Sequence, residues 1–285
     1  MASHAQTPFA EPIGGDHYHI YFTSRDSQNR SHVGWLELDI RHPEKILHIG
    51  DTPLLAPGAP GAFDDMGTMM SCLVKRANVR YLYYTGWSIR QSVPYHLAIG
   101  LASAPAGYDD PVFIKLRGPV LERNPIDPLF CASPSVLIDD GHWRMWYVSG
   151  VGWPMVRGRV TPSYNIRYAY SKDGIDWRRE GQIALELEGD EVGFSRPCVT
   201  MENGSYLMWY SVRAQDGRYQ LSCASSDDGL TWRRTGSESY LLPSAEGWDS
   251  EMIAYPYVFR HGYDQFMLYC GNGYGRTGFG LAVLA

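Results

Sequence analysis

The sequence predicts an all-β fold: a five-bladed β-propeller of four-stranded antiparallel blades, with residues 1–285 forming one domain. Three observations carry this reading. An apolar-aromatic run recurs five times, as Ile20-Tyr21-Phe22, Leu82-Tyr83-Tyr84, Met145-Trp146-Tyr147, Met208-Trp209-Tyr210 and Met267-Leu268-Tyr269, at intervals of about sixty residues. Within each interval, short runs rich in aromatic and β-branched residues alternate with Gly-, Asp- and Asn-containing turns. No long segment keeps apolar residues at three- and four-residue spacing between capping signals, so helices are not expected.

The strand pattern is clearest in the fourth unit. Pro197–Glu202, Ser205–Val212, Tyr219–Ser225 and Thr231–Arg234 are separated by polar or Gly-containing turns, which reads as four antiparallel strands. The third unit repeats the ending of the fourth: Ser171-Lys172-Asp173-Gly174-Ile175-Asp176-Trp177 matches Ser226-Asp227-Asp228-Gly229-Leu230-Thr231-Trp232. In this element the Asp and Gly suit a tight turn and the Trp packs between blades. Radial packing of such units hides their sheet edges. The last unit runs out at Ala285 after a third strand over Phe279–Leu284, so its outer strand is expected to be absent or supplied from near the N-terminus.

Composition narrows the function classes. With 44% hydrophobic and 20% charged residues the chain is a folded one, and 20 Tyr with 9 Trp favour strands and sugar-binding surfaces. The net charge of −6 is dispersed and no Lys/Arg stripe exists, which argues against nucleic acid. No stretch approaches the roughly 18–20 apolar residues of a membrane helix, and the N-terminus shows no signal-peptide pattern. Cys72, Cys131, Cys198, Cys223 and Cys270 are odd in number and scattered, without a CxxC pair. They read as reduced core thiols, hence a cytoplasmic protein with neither a disulfide framework nor a zinc site. Gly271-Asn272-Gly273-Tyr274-Gly275 is glycine-rich but ends a strand without opening a helix, so it reads as a pocket-lining loop rather than a phosphate cradle. No metal or other cofactor is expected, and nothing in the sequence sets an oligomeric state.

Phe63-Asp64-Asp65, Ala132-Ser133-Pro134, Ser195-Arg196-Pro197 and Ser250-Glu251-Met252 open the second to fifth units. With these openings and the two S-x-D-G-x-x-W turns, nearly the whole chain resembles the five-bladed glycosidase propellers of glycoside hydrolase families 43, 32, 68 and 130, and especially relatives encoded among cell-surface polysaccharide genes. The resemblance implies a carbohydrate-active protein with its site at one end of the axis. The glycosidases carry an Asp at the opening of the first blade and a Glu at that of the third. Here those segments read His4-Ala5-Gln6-Thr7-Pro8 and Cys131-Ala132-Ser133-Pro134, with no carboxylate.

In a blade, the openings of first strands and the loops after second strands gather on one face. The openings offer His4, Gln6, Asp64, Asp65, Asp127, Ser133, Arg196, Asp249 and Glu251. The loops add Arg25, Trp87, Trp153, Tyr164, Asn165, Arg213, Asn272 and Tyr274. Glycoside cleavage needs a carboxylic acid and a facing carboxylate about 5–9.5 Å apart, for which Asp65 and Glu251, each beside a turn, form the preferred pair, with His4 as a further acid or base. Asp64, Arg25, Trp87, Ser133, Trp153, Asn165, Arg196, Arg213 and Asn272 are the candidate substrate-binding residues. Arg25, Arg196 and Arg213 come from different blades, and guanidinium forks suit an acidic sugar or a sugar phosphate. The expected function is that of a glycosidase-like hydrolase or transferase acting on a small sugar, with anionic or activated sugars among the candidates. Two alternatives stay open: a non-catalytic sugar-binding propeller, and a lyase, cyclase or isomerase reusing the pocket.

Overall fold

The short, turn-bounded runs form strands almost throughout. The computed structural model describes residues 2–107, 112–156, 158–235 and 241–284. The first antiparallel unit is β1 (Ser3–Gly14), β2 (His17–Arg25), β3 (Ser31–Asp39) and β4 (Ile46–Ile49), each paired to the next. The second is β5 (Gly67–Arg76), β6 (Val79–Ile89), β7 (Tyr95–Pro105) and β8 (Ile114–Lys115).

In the third unit, β9 (Cys131–Asp139) pairs with β10 (His142–Gly152). A hairpin of β11 (Met155–Val156) and β12 (Arg159–Val160) then leads to β13 (Ser163–Ser171), which carries both β14 (Trp177–Arg178) and β15 (Ile183–Leu185). The fourth unit is β16 (Glu191–Glu202), β17 (Ser205–Ala214), β18 (Tyr219–Ser226) and β19 (Arg233–Arg234). The last is β20 (Ala254–His261), β21 (Asp264–Cys270) and β22 (Phe279–Leu284), with one helical turn, α1 (Asn272–Gly275), before β22. Among the described residues this last sheet has three strands. Its outer strand does not come from the N-terminal strand: β1 pairs with β2 and with no strand of this sheet.

First strands pack against one another in a closed circuit: β1 touches β5 and β20, β9 touches β5 and β16, and β16 touches β20. The apolar cores lie between successive sheets. Trp146 and Ile166 meet Phe194 and Met208, Trp209 and Cys223 meet Val258 and Met267, and Tyr18 and Ile20 meet Phe266 and Leu268, joining the last unit to the first. This is how sheets with two apolar faces bury both of them without a helix layer.

The two S-x-D-G-x-x-W elements fold identically. Ser171 Oγ accepts from Gly174 N–H at 3.0 Å, and Asp173 Oδ1 accepts from the N–H groups of Ile175 and Asp176. The Gly174 carbonyl receives the Trp177 indole N–H and, from the neighbouring unit, the Tyr83 hydroxyl at 2.6 Å. Ser226, Asp228, Gly229, Trp232 and Trp146 repeat the arrangement. Gly174 has φ +78°, and an added Cβ would lie 2.7 Å from Tyr83 Oη. Gly174→Ala is therefore expected to destabilise the fold by about 2 kcal/mol or more, measured by urea denaturation, from left-handed strain plus overpacking.

Candidate functional site

Each innermost strand carries a β-bulge at the same depth, seen as register shifts at Gln6/Phe9, Met70/Cys72, Ser135/Ala132, Ser195/Cys198 and Ala254/Tyr257. In four of them the bulged residue precedes a proline and has a left-handed φ: Thr7 (49°), Ser133 (46°), Arg196 (54°) and Tyr255 (59°). Such bulges re-aim side chains near sites. Side chains of the preceding unit hold four of the five. Met70 N–H donates to Thr23 Oγ1, Ser133 N–H to Thr85 Oγ1 and Tyr255 N–H to Ser211 Oγ, each at 2.8 Å, and Thr7 N–H donates to Cys270 Sγ at 3.3 Å.

Above this floor opens a cavity of about 510 Å³ to which all five units contribute. The first gives His4, Thr7, Arg25 and Asn29; the second Thr85, Trp87 and Tyr95; the third Phe130, Ser133 and Tyr164. The fourth gives Ser195, Arg213 and Tyr219, and the last Tyr255 and Tyr274. Among the described residues no aspartate or glutamate is in the lining.

The electrostatics follow from that composition. Arg25 donates to Asn29 Oδ1 at 2.8 Å and Arg213 to the Pro162 carbonyl, both neutral acceptors. The guanidinium of Arg213 also lies 4.9 Å from the centre of the Tyr164 ring. The Nε atoms of both arginines are buried without a hydrogen-bond partner. Burial works against the charge of Arg213, but the Tyr164, Tyr219 and Tyr95 hydroxyls outweigh it and the net shift is upward. Burial, reinforced by Arg25 and Arg276, holds His4 below the usual imidazole value, so it is neutral at pH 7. The Tyr164 and Tyr219 hydroxyls hydrogen-bond to each other, and Tyr219 packs on Tyr255 and Tyr274 with ring centres 5.6 and 5.8 Å apart. The outcome is a cationic pocket walled by aromatic rings.

Of the twelve residues given catalytic or substrate-binding roles from sequence, His4, Arg25, Trp87, Ser133 and Arg213 line this cavity and seven do not; Gln6, Tyr164 and Tyr274, also read at this face, line it too. Asp64 is buried, accepting from the Tyr84 hydroxyl at 3.1 Å and the Lys115 ammonium at 2.7 Å. Asp65 turns to the loop before it, where Oδ2 accepts from Gly61 N–H. The Glu251 side chain is exposed to solvent. Asn272 ties the Gly247–Met252 loop to α1: Oδ1 accepts from the N–H groups of Glu251 and Met252, and Nδ2 donates to the Gly247 carbonyl. Asn165 donates to the Glu186 carboxylate. Trp153 packs on Tyr95 and Phe130, each 5.5 Å between centres, behind the wall they form. Arg196 lies below the floor, donating to the Met70 and Pro8 carbonyls. The sequence reading thus placed Asp65, Arg196 and Glu251 in one pocket, and the structure separates them.

Sequence reasoning passed over Tyr95 and Tyr219, which begin third strands, and Tyr255. Tyr255-Pro256 repeats the bulge signature of Thr7-Pro8, Ser133-Pro134 and Arg196-Pro197, a pattern visible in the sequence.

No protein-family model matches the chain. It is 44% identical over 283 residues to the protein MT1551 of Mycobacterium tuberculosis (strain CDC 1551 / Oshkosh), covering 99% of this chain and 93% of that one. A 1,2-beta-oligomannan phosphorylase of Thermoanaerobacter sp. (strain X514) is 25% identical over 211 residues, 73% of this chain and 65% of the phosphorylase. Among solved structures, a glycoside hydrolase superposes with a TM-score of 0.78 at 18% identity, covering 99% of this chain and 87% of that one. A thermostable family-43 glycoside hydrolase gives 0.71 at 18% identity, covering 99% and 89%. The fold is that of the glycosidase propellers.

Proposed function

The chain belongs to the same family as MT1551 of Mycobacterium tuberculosis, and from that footing we propose that it is a carbohydrate-active five-bladed propeller whose cavity takes a small anionic sugar. The five-blade reading is supported by the five consecutive antiparallel units and the closed circuit of first strands. One observation carries the ligand class: among the described residues the cavity presents Arg25 and Arg213, partnered only by neutral groups, among aromatic rings and without a carboxylate. Aromatic faces suit pyranose C–H surfaces, and guanidinium forks suit phosphate or carboxylate oxygens. Hydrolysis by two facing carboxyl groups has no support in this lining. Glycosyl transfer involving phosphate does, since the sugar's own anion then meets the arginines, and the Thermoanaerobacter relative is by name a phosphorylase. Five buried free thiols favour a reducing compartment such as the cytoplasm.

Titration calorimetry with mannose 1-phosphate and with free mannose tests the reading. The phosphorylated sugar is expected to bind at least about tenfold tighter, the effect of one charge-assisted contact. Asp65→Asn and Glu251→Gln, whose side chains are turned elsewhere, are expected to leave that affinity within about threefold. Equal affinity for both sugars sinks the anionic assignment. The absence of carboxylates also favours a second reading, a binding propeller without turnover, which tight binding with no release or transfer of phosphate would single out.

A further inference from the structure

A second cavity, of about 330 Å³, lies below the floor and is separate from the one above. Its walls come from the same first strands two or more residues further on: Phe9 after Thr7, Ser135 after Ser133, Tyr257 after Tyr255. They are mostly apolar, with Phe9, Val136, Val199 and Phe259 prominent, and among the described residues Arg196 is the one lining residue that carries a charge at pH 7. Arg196 is 2% exposed. Its Nη1 donates to the Met70 carbonyl at 2.7 Å and its Nη2 to the Pro8 carbonyl at 2.9 Å, and no carboxylate pairs with it among the described residues. The ionisable groups that face it are Cys198, Cys72, Cys270 and Tyr257, and burial lowers its pKa. Thr200, also in the lining, has a hydroxyl buried without a partner.

A buried charge is costly unless paired, and guanidinium does not relieve the cost by losing its proton. Two carbonyl oxygens offset part of it but bring no countercharge. A ligand that completes this site must carry one negative charge at its inner end and apolar surface along its length, because among the described residues the walls offer no second cation and, beyond the hydroxyls of Ser71, Ser135, Thr200 and Tyr257, are apolar or thiol-bearing. We propose that the lower cavity is a binding site for a short-chain aliphatic monocarboxylate, whose carboxylate pairs with Arg196 while its chain lies against Phe9, Val136 and Phe259. This site is independent of the anionic-sugar reading of the upper cavity.

The experiment is titration calorimetry of the full chain with sodium hexanoate, with hexan-1-ol as the neutral isostere and sodium chloride as an inorganic anion. Hexanoate is expected to bind with hexanol at least about tenfold weaker, the loss of a charge-assisted pair. Saturating mannose 1-phosphate and the substitution Arg213→Gln are expected to leave hexanoate affinity unchanged, since both act above the floor. Leu137→Trp, which fills the lower cavity from its wall, is expected to abolish binding without touching Arg196. It is therefore the main variant, because Arg196→Gln also removes the bonds to Met70 and Pro8 that tie three units together. Absence of hexanoate binding at 10 mM (about the upper end of useful weak affinity), equal binding of hexanol, chloride competing as well as hexanoate, or displacement by mannose 1-phosphate would each overturn the proposal.

Discussion

Arg213→Gln is expected to lower affinity for mannose 1-phosphate by about 10- to 100-fold, and to change affinity for free mannose by less than about threefold. The size follows from losing a charge-assisted contact in a largely desolvated wall, worth roughly 1.5–3 kcal/mol. Gln keeps a planar polar head but neither the charge nor the fork. The same change removes the packing of the guanidinium over Tyr164, so a purely structural loss must be told apart from a loss of recognition. Arg213→Lys makes that separation: it keeps the charge and loses the bidentate geometry, and is expected to recover part of the phosphate preference without recovering the Tyr164 stacking fully. Raising the salt concentration should weaken phosphate binding to the natural chain and have little effect on the Gln variant, since only the former retains the ionic contact. An equal loss for charged and neutral sugar would mean that Arg213 shapes the pocket wall without reading the anion.

The fold was legible in the sequence because repeating units repeat their burial. Five aromatic runs became five second strands, and the Ser-x-Asp-Gly-x-x-Trp turns formed as their residue types require. The site was legible only in part, and the bulges explain why. Strand side chains alternate faces, so one extra residue reverses the parity of everything beyond it. Ser195 faces the upper cavity while its neighbour Arg196 faces the lower one, and sequence alternation alone does not say on which side of the bulge a residue falls. The opening carboxylates misled for another reason. Asp64, Asp127 and Asp249 each precede by twenty residues a tyrosine of their unit's second strand, and each accepts that tyrosine's hydroxyl: Tyr84, Tyr147 and Tyr269. The recurrence marks a structural brace, and a spacing shared by three units fits a scaffold better than a unique catalytic acid.

That brace supplies the largest expected effect on stability. Asp127 is completely buried and accepts from the Tyr147 hydroxyl at 2.8 Å, the Ser149 hydroxyl at 2.6 Å, Arg179 Nη1 at 2.9 Å and Arg167 Nη1 at 3.3 Å. Asp127→Asn keeps the shape but leaves two mostly buried guanidiniums without their countercharge, and removing one member of a buried ion pair costs about 3–5 kcal/mol. Asp249 provides the control. It holds the matching position and accepts from Tyr269 at 3.0 Å, but no arginine pairs with it among the described residues. Asp249→Asn therefore removes no ion pair and is expected to cost about 1 kcal/mol, the scale of one hydrogen bond. Urea denaturation of the two variants should differ by roughly 2–4 kcal/mol, with Asp127→Asn the weaker fold. Equal losses would show that the tyrosine contact, common to both, carries the brace, and that Arg167 and Arg179 contribute no net stability through Asp127.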